Sequence, residues 1–304
     1  MSHREEGTCR TTSLADRGVL RVSSADAKTF LQGLLTNDME TTDGGGAIHA
    51  GLLSPQGKIL HDFFVLRRGD DYLIDVPADD LEALAKRLSF YKLRSDVVID
   101  AEPAMTVAAV WGDTSALPDK ALPDEVLPDG ALAVTDPRLP ALGLRVLLPK
   151  GTVLDEAAYA PASEAEYHAR RIALGVPQGG RDYAYGKTFP HEALYDQLDG
   201  VAFKKGCYIG QEVVSRMQHR GTARKRVVPI EGDGPLEAGA EVMAGKLPAG
   251  TIGSVDGTHG LALLRLDRAA SAQAQGTPLK AGDTTITVRL PDYATFEMPV
   301  AEGV

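Results

Sequence analysis

The 304-residue chain has little cysteine, one tryptophan and no long apolar run. Its two cysteines, Cys9 and Cys207, cannot make a disulfide framework, and a reducing, cytosolic compartment is the simplest expectation. The seven histidines, His3, His49, His61, His168, His191, His219 and His259, form no His-Glu-x-x-His pair and no Cys/His cluster, so no stably bound metal is expected. No stretch reaches the roughly 18 apolar residues of a membrane span, so no membrane partner is expected. Met1 to Arg10 lacks the apolar core of a secretory signal, and Glu5, Glu6 and Asp16 argue against an acid-poor organellar presequence. A hydrolase nucleophile elbow is missing. Gly44-Gly45-Gly46 lacks the Lys and Ser/Thr of a phosphate-binding loop.

A hydrophobic content of 43% with 24% charged residues describes a folded globular chain, long enough for about two or three domains. The net charge of −10 disfavours nucleic acid as a primary partner. One stretch departs from that acidity. Between Lys204 and Arg226, seven cations (Lys204, Lys205, Arg216, Arg220, Arg224, Lys225, Arg226) face one acid, Glu212, a local +6 that leaves −16 for the rest. Such a patch suits a small polyanion; a solvated helix face and strand end is the bland alternative.

Cys207 lies inside this stretch, between Gly206 and Gly210 and directly after two lysines. The glycines permit sharp turns with φ > 0, which would present the thiol to solvent. Lys204 and Lys205 would favour the thiolate, the nucleophilic and metal-binding form. A lone cysteine is also a common buried hydrophobe, but the flanking residues favour a functional thiol. One thiolate cannot hold a zinc site or an iron–sulfur cluster, which need about four ligands, so Cys207 would act transiently or share a site with a partner. Gly210 is expected to open a helix with Val213, Val214 and Met217 on one apolar face and Gly221 to end it.

Residues 1–13 are polar and expected to fray. Gly18–Val22 reads as a strand. Ser23 with Asp26 reads as a capping-box variant before an amphipathic helix carrying Ala27, Phe30, Leu31, Leu34 and Leu35. Strands follow over 47–53 and 58–67, joined by the Ser54-Pro55-Gln56-Gly57 turn, then over 72–76. A helix opening at Asp79 or Asp80 comes next. Strands over 97–99, 105–111 and 142–148 complete an α+β layer, with most of 112–140 as surface loop. Ser163 and Glu166 form a full capping box for a helix ending at Gly175. The glycine-rich loop 175–190, with Arg181, Asp182, Tyr183 and Tyr185, is long enough to suggest function. After Arg226, short strands at 227–230, 241–243, 251–255, 261–266 and 284–290 suggest a small barrel.

Lys205-Gly206-Cys207-Tyr208-Ile209-Gly210-Gln211-Glu212 resembles the K-G-C-[FY]-x-G-Q-E signature of the YgfZ family, folate-binding proteins linked to iron–sulfur cluster assembly and repair. Phe30 to Asp38 resembles that family's F-L-Q-G-x-L-T-N-D segment. Arg171-Ile172, Gly175-Val176-Pro177, Pro190-His191-Glu192 and 199–203 resemble the run leading into the Cys motif. The likeness covers most of the chain and weakens over 112–160. It implies an aminomethyltransferase-like (GcvT-like) fold of two interleaved α+β domains plus a C-terminal barrel, with one domain over 1–46 and 155–225, a ferredoxin-like one over 47–154 and the barrel over 226–304.

The resemblance further implies tetrahydrofolate as ligand and iron–sulfur client proteins or assembly machinery as partners. A flat pterin wants an aromatic or apolar wall, its donors want a carboxylate, and the glutamate tail wants cations. By resemblance Glu192 is the pterin acceptor and Tyr167 the aromatic wall, while Arg216 and Arg220 are candidates for the tail. A second aromatic of the pattern falls at Arg17, which offers only a cation over a ring. The alternative activity is folate-dependent aminomethyl transfer, for which the related transferases carry two adjacent acids where this chain has His61-Asp62. Cys207, absent from that family, ranks the transferase second to an assembly or repair factor.

Overall fold

The structure, a computed structural model, describes residues 9–112, 127–155, 159–221 and 223–299. They fall into two compact units, both discontinuous in sequence. The first draws on Met1–Leu52, His61–Tyr167 and Asp199–Ile209, the second on Leu53–Leu60, His168–Leu198 and Gly210–Val304.

The first unit is built on two sheets. Strands β1 (Arg10–Ser13) and β2 (Arg17–Ser23) lead into helix α1 (Ala27–Leu34). They are followed by β3 (Ala47–Leu53), β4 (Ile59–Arg68), β5 (Asp71–Pro77) and helix α2 (Leu81–Lys92). Then come β6 (Val98–Ala101), β7 (Met105–Trp111), β8 (Leu132–Thr135), β9 (Leu144–Pro149), β10 (Ala160–Pro161) and α3 (Glu164–Ala173), which continues into the second unit. One sheet has the order β3-β4-β5-β2-β6 and the other β10-β1-β7-β9-β8.

Period-2 alternation sorts the side chains of the first sheet. Leu20, Val22, Phe63, Val65, Tyr72, Ile74 and Val76 face one layer, with Phe30, Leu31 and Leu34 of α1 and Leu84 and Leu88 of α2. Their neighbours Val19, Phe64, Leu66 and Leu73 face another, with Met105, Val107, Ala109, Trp111 and Leu147 of the second sheet. Each such fully buried aliphatic side chain contributes roughly 2 kcal/mol.

The predicted strands and helices exist, with local corrections. Arg10–Ser13 does not fray but is β1, paired with β7 and β10; residues 1–8 lie outside the described residues. Asp26, not Ser23, is the N-cap of α1 and caps no helical N–H; its carboxylate accepts from Asp96 N at 2.8 Å. The Ser163–Glu166 box forms in full, with Glu166 Oε2 accepting from Ser163 N at 2.8 Å and Ser163 Oγ from Glu166 N at 3.2 Å. Of the loop read over 112–140, residues 113–126 lie outside the described residues, while Leu132–Thr135 is strand β8.

The second unit contains α4 (Gln211–Arg220), β11 (Lys225–Gly232), β12 (Glu241–Ala244), β13 (Leu247–Asp256), β14 (His259–Arg265), α5 (Leu266–Ala274), β15 (Leu279–Ala281) and β16 (Thr284–Val288). The six strands close a barrel, β11-β14-β13-β12-β15-β16, in which β11 pairs with both β14 and β16. Val228, Ile230, Ile252, Leu264 and Ile286 fill it together with Leu266 and Ala269 of α5. Sequence reading missed α5 and β15. The loop 175–190 is tied down in this unit: Arg171 donates to Asp182 Oδ2 at 2.7 Å, and Asp182 Oδ1 accepts from Ser254 N at 2.7 Å. No helix among the described residues is long and apolar enough to cross a membrane.

Candidate functional site

The first unit brings two segments, distant in sequence, to one place. Thr36 and Asn37 follow α1, and both reach the segment 199–209. Thr36 Oγ1 donates to Gly200 O at 2.6 Å and accepts from Gly51 N at 2.8 Å. Ala202 N donates to Thr36 O at 3.0 Å. Asn37 Nδ2 donates to Asp199 O at 2.6 Å and to His49 O at 2.9 Å, where Asp199 stands at φ 48°. The turn that follows α1 is thus the scaffold of the cysteine loop.

Lys205 fastens the loop a second time. Its side chain is buried, and Nζ donates to Gln32 O, Leu35 O and Asn37 O, each at 2.8 Å. An ammonium has three N–H donors, and these carbonyls at the end of α1 take all three. A cation at a helix C-terminus is also favoured by the helix dipole. Burial pushes Nζ down to about 8, against the pull of Asp38. Next along, Tyr208 is buried, its hydroxyl pushed up to about 12 by burial, and Ile209 packs against the core beneath α1.

Between these anchors Cys207 is exposed, whereas Cys9 is buried. The expected presentation of the thiol holds, but by other means. Lys205 does not neighbour the thiol as a loose charge; it is committed to backbone carbonyls, leaving exposed Lys204 as the lysine open to solvent. Gly206 is not among the glycines with positive φ, and a Cβ there would meet nothing.

A charged layer that sequence reading missed lies between the sheets of the first unit. Asp75 of β5 is fully buried among apolar neighbours and pairs with Arg17 at 2.7 Å and with Arg145 of β9. Burial alone would raise its carboxyl; the charges of Arg145 and Arg17 outweigh that and hold it below 3.8. Asp136 pairs with Arg138 at 2.7 Å. The guanidinium carbons of Arg145, Arg138 and Arg17 stand 4.0, 4.8 and 5.6 Å from the Phe64 ring centre. Arg17 is a cation over a ring, as expected, but the ring is the protein's own. Tyr167 belongs to the same core: its hydroxyl accepts from Arg138 at 3.2 Å and its ring meets Trp111 edge-on. At 4% exposure it offers no open aromatic wall in this structure. His61 is engaged by Asp80, with 2.6 Å between Nδ1 and Oδ2.

The second unit holds Glu192. Its Oε2 accepts from Phe189 N at 2.8 Å, and Lys58 Nζ stands 3.0 Å from the Phe189 ring centre. Burial lowers Lys58, with Glu192 opposing and Lys225 adding to the fall. A 310 Å³ cavity opens beside Glu192, walled by Phe189, Val213 and Met217 and edged by Arg224, Lys225 and Arg265. Helix α4 supplies two of those walls, as its predicted apolar face required, while Val214 is fully buried. Gly210 caps α4 at φ 80°, where a Cβ would come 2.6 Å from Ser54 O. Gln211 and Glu212 begin the helix, and exposed Glu212 and Arg216 approach to 3.6 Å. Arg220 ends it, and its side chain lies outside the described residues. Arg226 is withdrawn from the basic patch, bound to both carboxylate oxygens of Asp196 at 2.8 and 2.9 Å.

Comparison with known proteins agrees with this architecture. The family description "CAF17, C-terminal beta-barrel domain" matches residues 224–296. The "Iron-sulfur cluster assembly factor IBA57 homolog, mitochondrial" of Neurospora crassa is 35% identical over 257 residues, 75% of this chain and 57% of the relative. The mouse "Iron-sulfur cluster assembly factor IBA57, mitochondrial" is 32% identical over 277 residues, 83% of this chain and 76% of the relative. The chain thus spans little more than half of its fungal relative. The crystal structure of the glycine cleavage system aminomethyltransferase T of Bartonella henselae superposes with a TM-score of 0.76 at 17% identity, over 95% of this chain and 87% of that one. The fold is therefore the α+β, aminomethyltransferase-like one. The cytosolic expectation is overturned: the relatives are named mitochondrial. A cysteine-poor composition indicates a reducing environment without saying which one.

Proposed function

We propose, from the premise that this chain belongs to the IBA57 family of iron–sulfur cluster assembly factors, that it supports assembly or repair of clusters in client enzymes through the Cys207 thiol. The observation that carries this reading is one exposed sulfur on a loop whose backbone is fixed by Thr36, Asn37 and Lys205. A single thiolate supplies one of about four ligands. Cys207 therefore binds a cluster iron together with donors of a partner protein, losing its proton as it does so. Rigid presentation lowers the ordering entropy of such a shared site. In cells whose only source of this function is the tested chain, Cys207→Ser should fold normally and fail to sustain iron–sulfur enzyme activity. Full complementation would remove the thiol from the mechanism.

Folate is the proposed small-molecule ligand, held in the cavity beside Glu192. An aromatic and thioether wall, one carboxylate and three cations, Arg224, Lys225 and Arg265 in place of Arg216, which does not line the cavity, answer the needs of pterin, pterin donors and glutamate tail. Glu192→Gln keeps an acceptor for Phe189 N but loses the paired acceptor for the pterin. It should weaken tetrahydrofolate about tenfold or more in a fluorescence titration, the loss of a charge-assisted bond. Unchanged affinity would remove Glu192 from the ligand site. Aminomethyl transfer ranks second. The shared fold alone speaks for it, and His61, where that chemistry has an acid, is engaged by Asp80.

A further inference from the structure

The barrel carries a second, larger cavity, of about 770 Å³, of whose lining the folate reading uses only Arg224 and Arg265. From Arg224 to its end the chain has eight Lys and Arg residues against ten Asp and Glu. Four of those eight, Arg224, Lys246, Arg265 and Arg268, line this one cavity, and among the described residues a single acid, Asp267, lines it with them. Asp267 is committed to Arg265, with 2.5 Å between the charged groups. Arg268 donates to Pro248 O. The side chains of Arg224 and Lys246 are exposed, and neither makes an ion pair or hydrogen bond among the described residues. Leu247, at the tip of the β12–β13 hairpin, also lines the cavity and is 58% exposed.

A surplus of cations gathered on an otherwise acidic chain marks a surface built for negative charge. Among the described residues its lining contains no aromatic side chain on which a nucleobase could stack, and the chain as a whole repels a long polyanion. Leu247 beside the cations offers an apolar contact that a peptide side chain can use and inorganic phosphate cannot. We propose that this groove docks a short acidic polypeptide segment of a partner protein, with carboxylates on Lys246 and Arg268 and one apolar side chain covering Leu247. The proposal stands apart from the folate reading, although Arg224 and Arg265 also border the smaller cavity. Lys246, Leu247 and Arg268 do not, which makes them the residues to change.

The test uses the full chain and a fluorescent peptide of about 12 residues, Glu and Asp around one central Leu, followed by anisotropy at about 50 mM NaCl, where exposed charges are weakly screened. The parent should bind, and binding should weaken steeply as salt rises. Lys246→Glu with Arg268→Glu should weaken it at least tenfold, the scale of opposed charges across an interface, and should acquire binding to the Lys counterpart of the peptide. An unfolded chain would not make that exchange. Leu247→Ser should weaken the acidic peptide by a smaller factor. Equal affinity of parent and double variant for the acidic peptide would overturn the proposal. So would tighter binding of a single-stranded RNA of similar length.

Discussion

At the scale of single residues, Lys205 shows why neighbours in sequence do not reveal a side chain's work. It precedes Cys207 by two positions and reads as an activator of the thiol. In the fold it binds three carbonyls about α1, from 168 to 173 positions away in sequence. Lys205→Met should therefore act on the loop and not on thiol chemistry as such. The three carbonyls lose a charged donor inside the protein, and removing such a group typically costs about 2 kcal/mol. A fall of that size in urea-unfolding free energy is expected, with hydrogen exchange rising over 199–209. An unchanged urea midpoint would show the three bonds to be of little weight.

At the scale of elements, the two sheets of the first unit meet across a layer that is apolar except at Asp75, Arg145 and their partners. In sequence, Asp75 sits in Leu73-Ile74-Asp75-Val76 and Arg145 in Leu144-Arg145-Val146, and a charge inside an apolar run normally weakens a strand assignment. The register explains both: Asp75 shares a face with Leu73, and Arg145 with Leu147, so each points into the inter-sheet layer. Asp75→Asn removes the charge that holds two buried guanidinium groups and should destabilise by about 3–5 kcal/mol. The sign with pH follows from a carboxyl held below 3.8 in the fold. Its contribution is present above that value and is lost as pH falls below it toward the folded value, because there the unfolded chain binds the proton more readily. Urea midpoints should drop in that acidic window, and the Asn variant should lack that part of the slope. Helix α4 offers a second test. Gly210→Ala asks a Cβ to enter φ 80° and come within 2.6 Å of Ser54 O; about 2 kcal/mol or more is expected in thermal unfolding, whereas Gly206→Ala, in open space, should be nearly neutral.

Much of this was legible beforehand because it is local. The Ser163–Glu166 capping box, the Gly57 turn and the alternation in β2, β4 and β5 are written in adjacent residues. Helix α5 was not, since its buried face is Leu266, Ala269, Ala270 and Ala272, and alanine gives a faint apolar period. The charged layer and the Lys205 anchor were not legible either, because both depend on partners brought together only by the fold.

At the scale of the whole molecule, the fold is shared with an aminomethyltransferase at 17% identity, while the sequence places the chain with iron–sulfur assembly factors. On the proposed reading the two roles part at particular positions: a cysteine held open on an anchored loop, and His61-Asp62 where the resemblance to the transferases implies two acids. The measurement that reaches this most directly is retention of a cluster. The parent and Cys207→Ser would each be mixed, without oxygen, with a cluster-loaded carrier protein of the assembly machinery, and iron and acid-labile sulfide would be measured in the complex isolated by gel filtration. The parent should co-elute with both, with visible absorption altered from that of the carrier alone, whereas with the serine variant iron and sulfide should stay with the free carrier. Equal iron, sulfide and absorption in the two complexes would contradict the account.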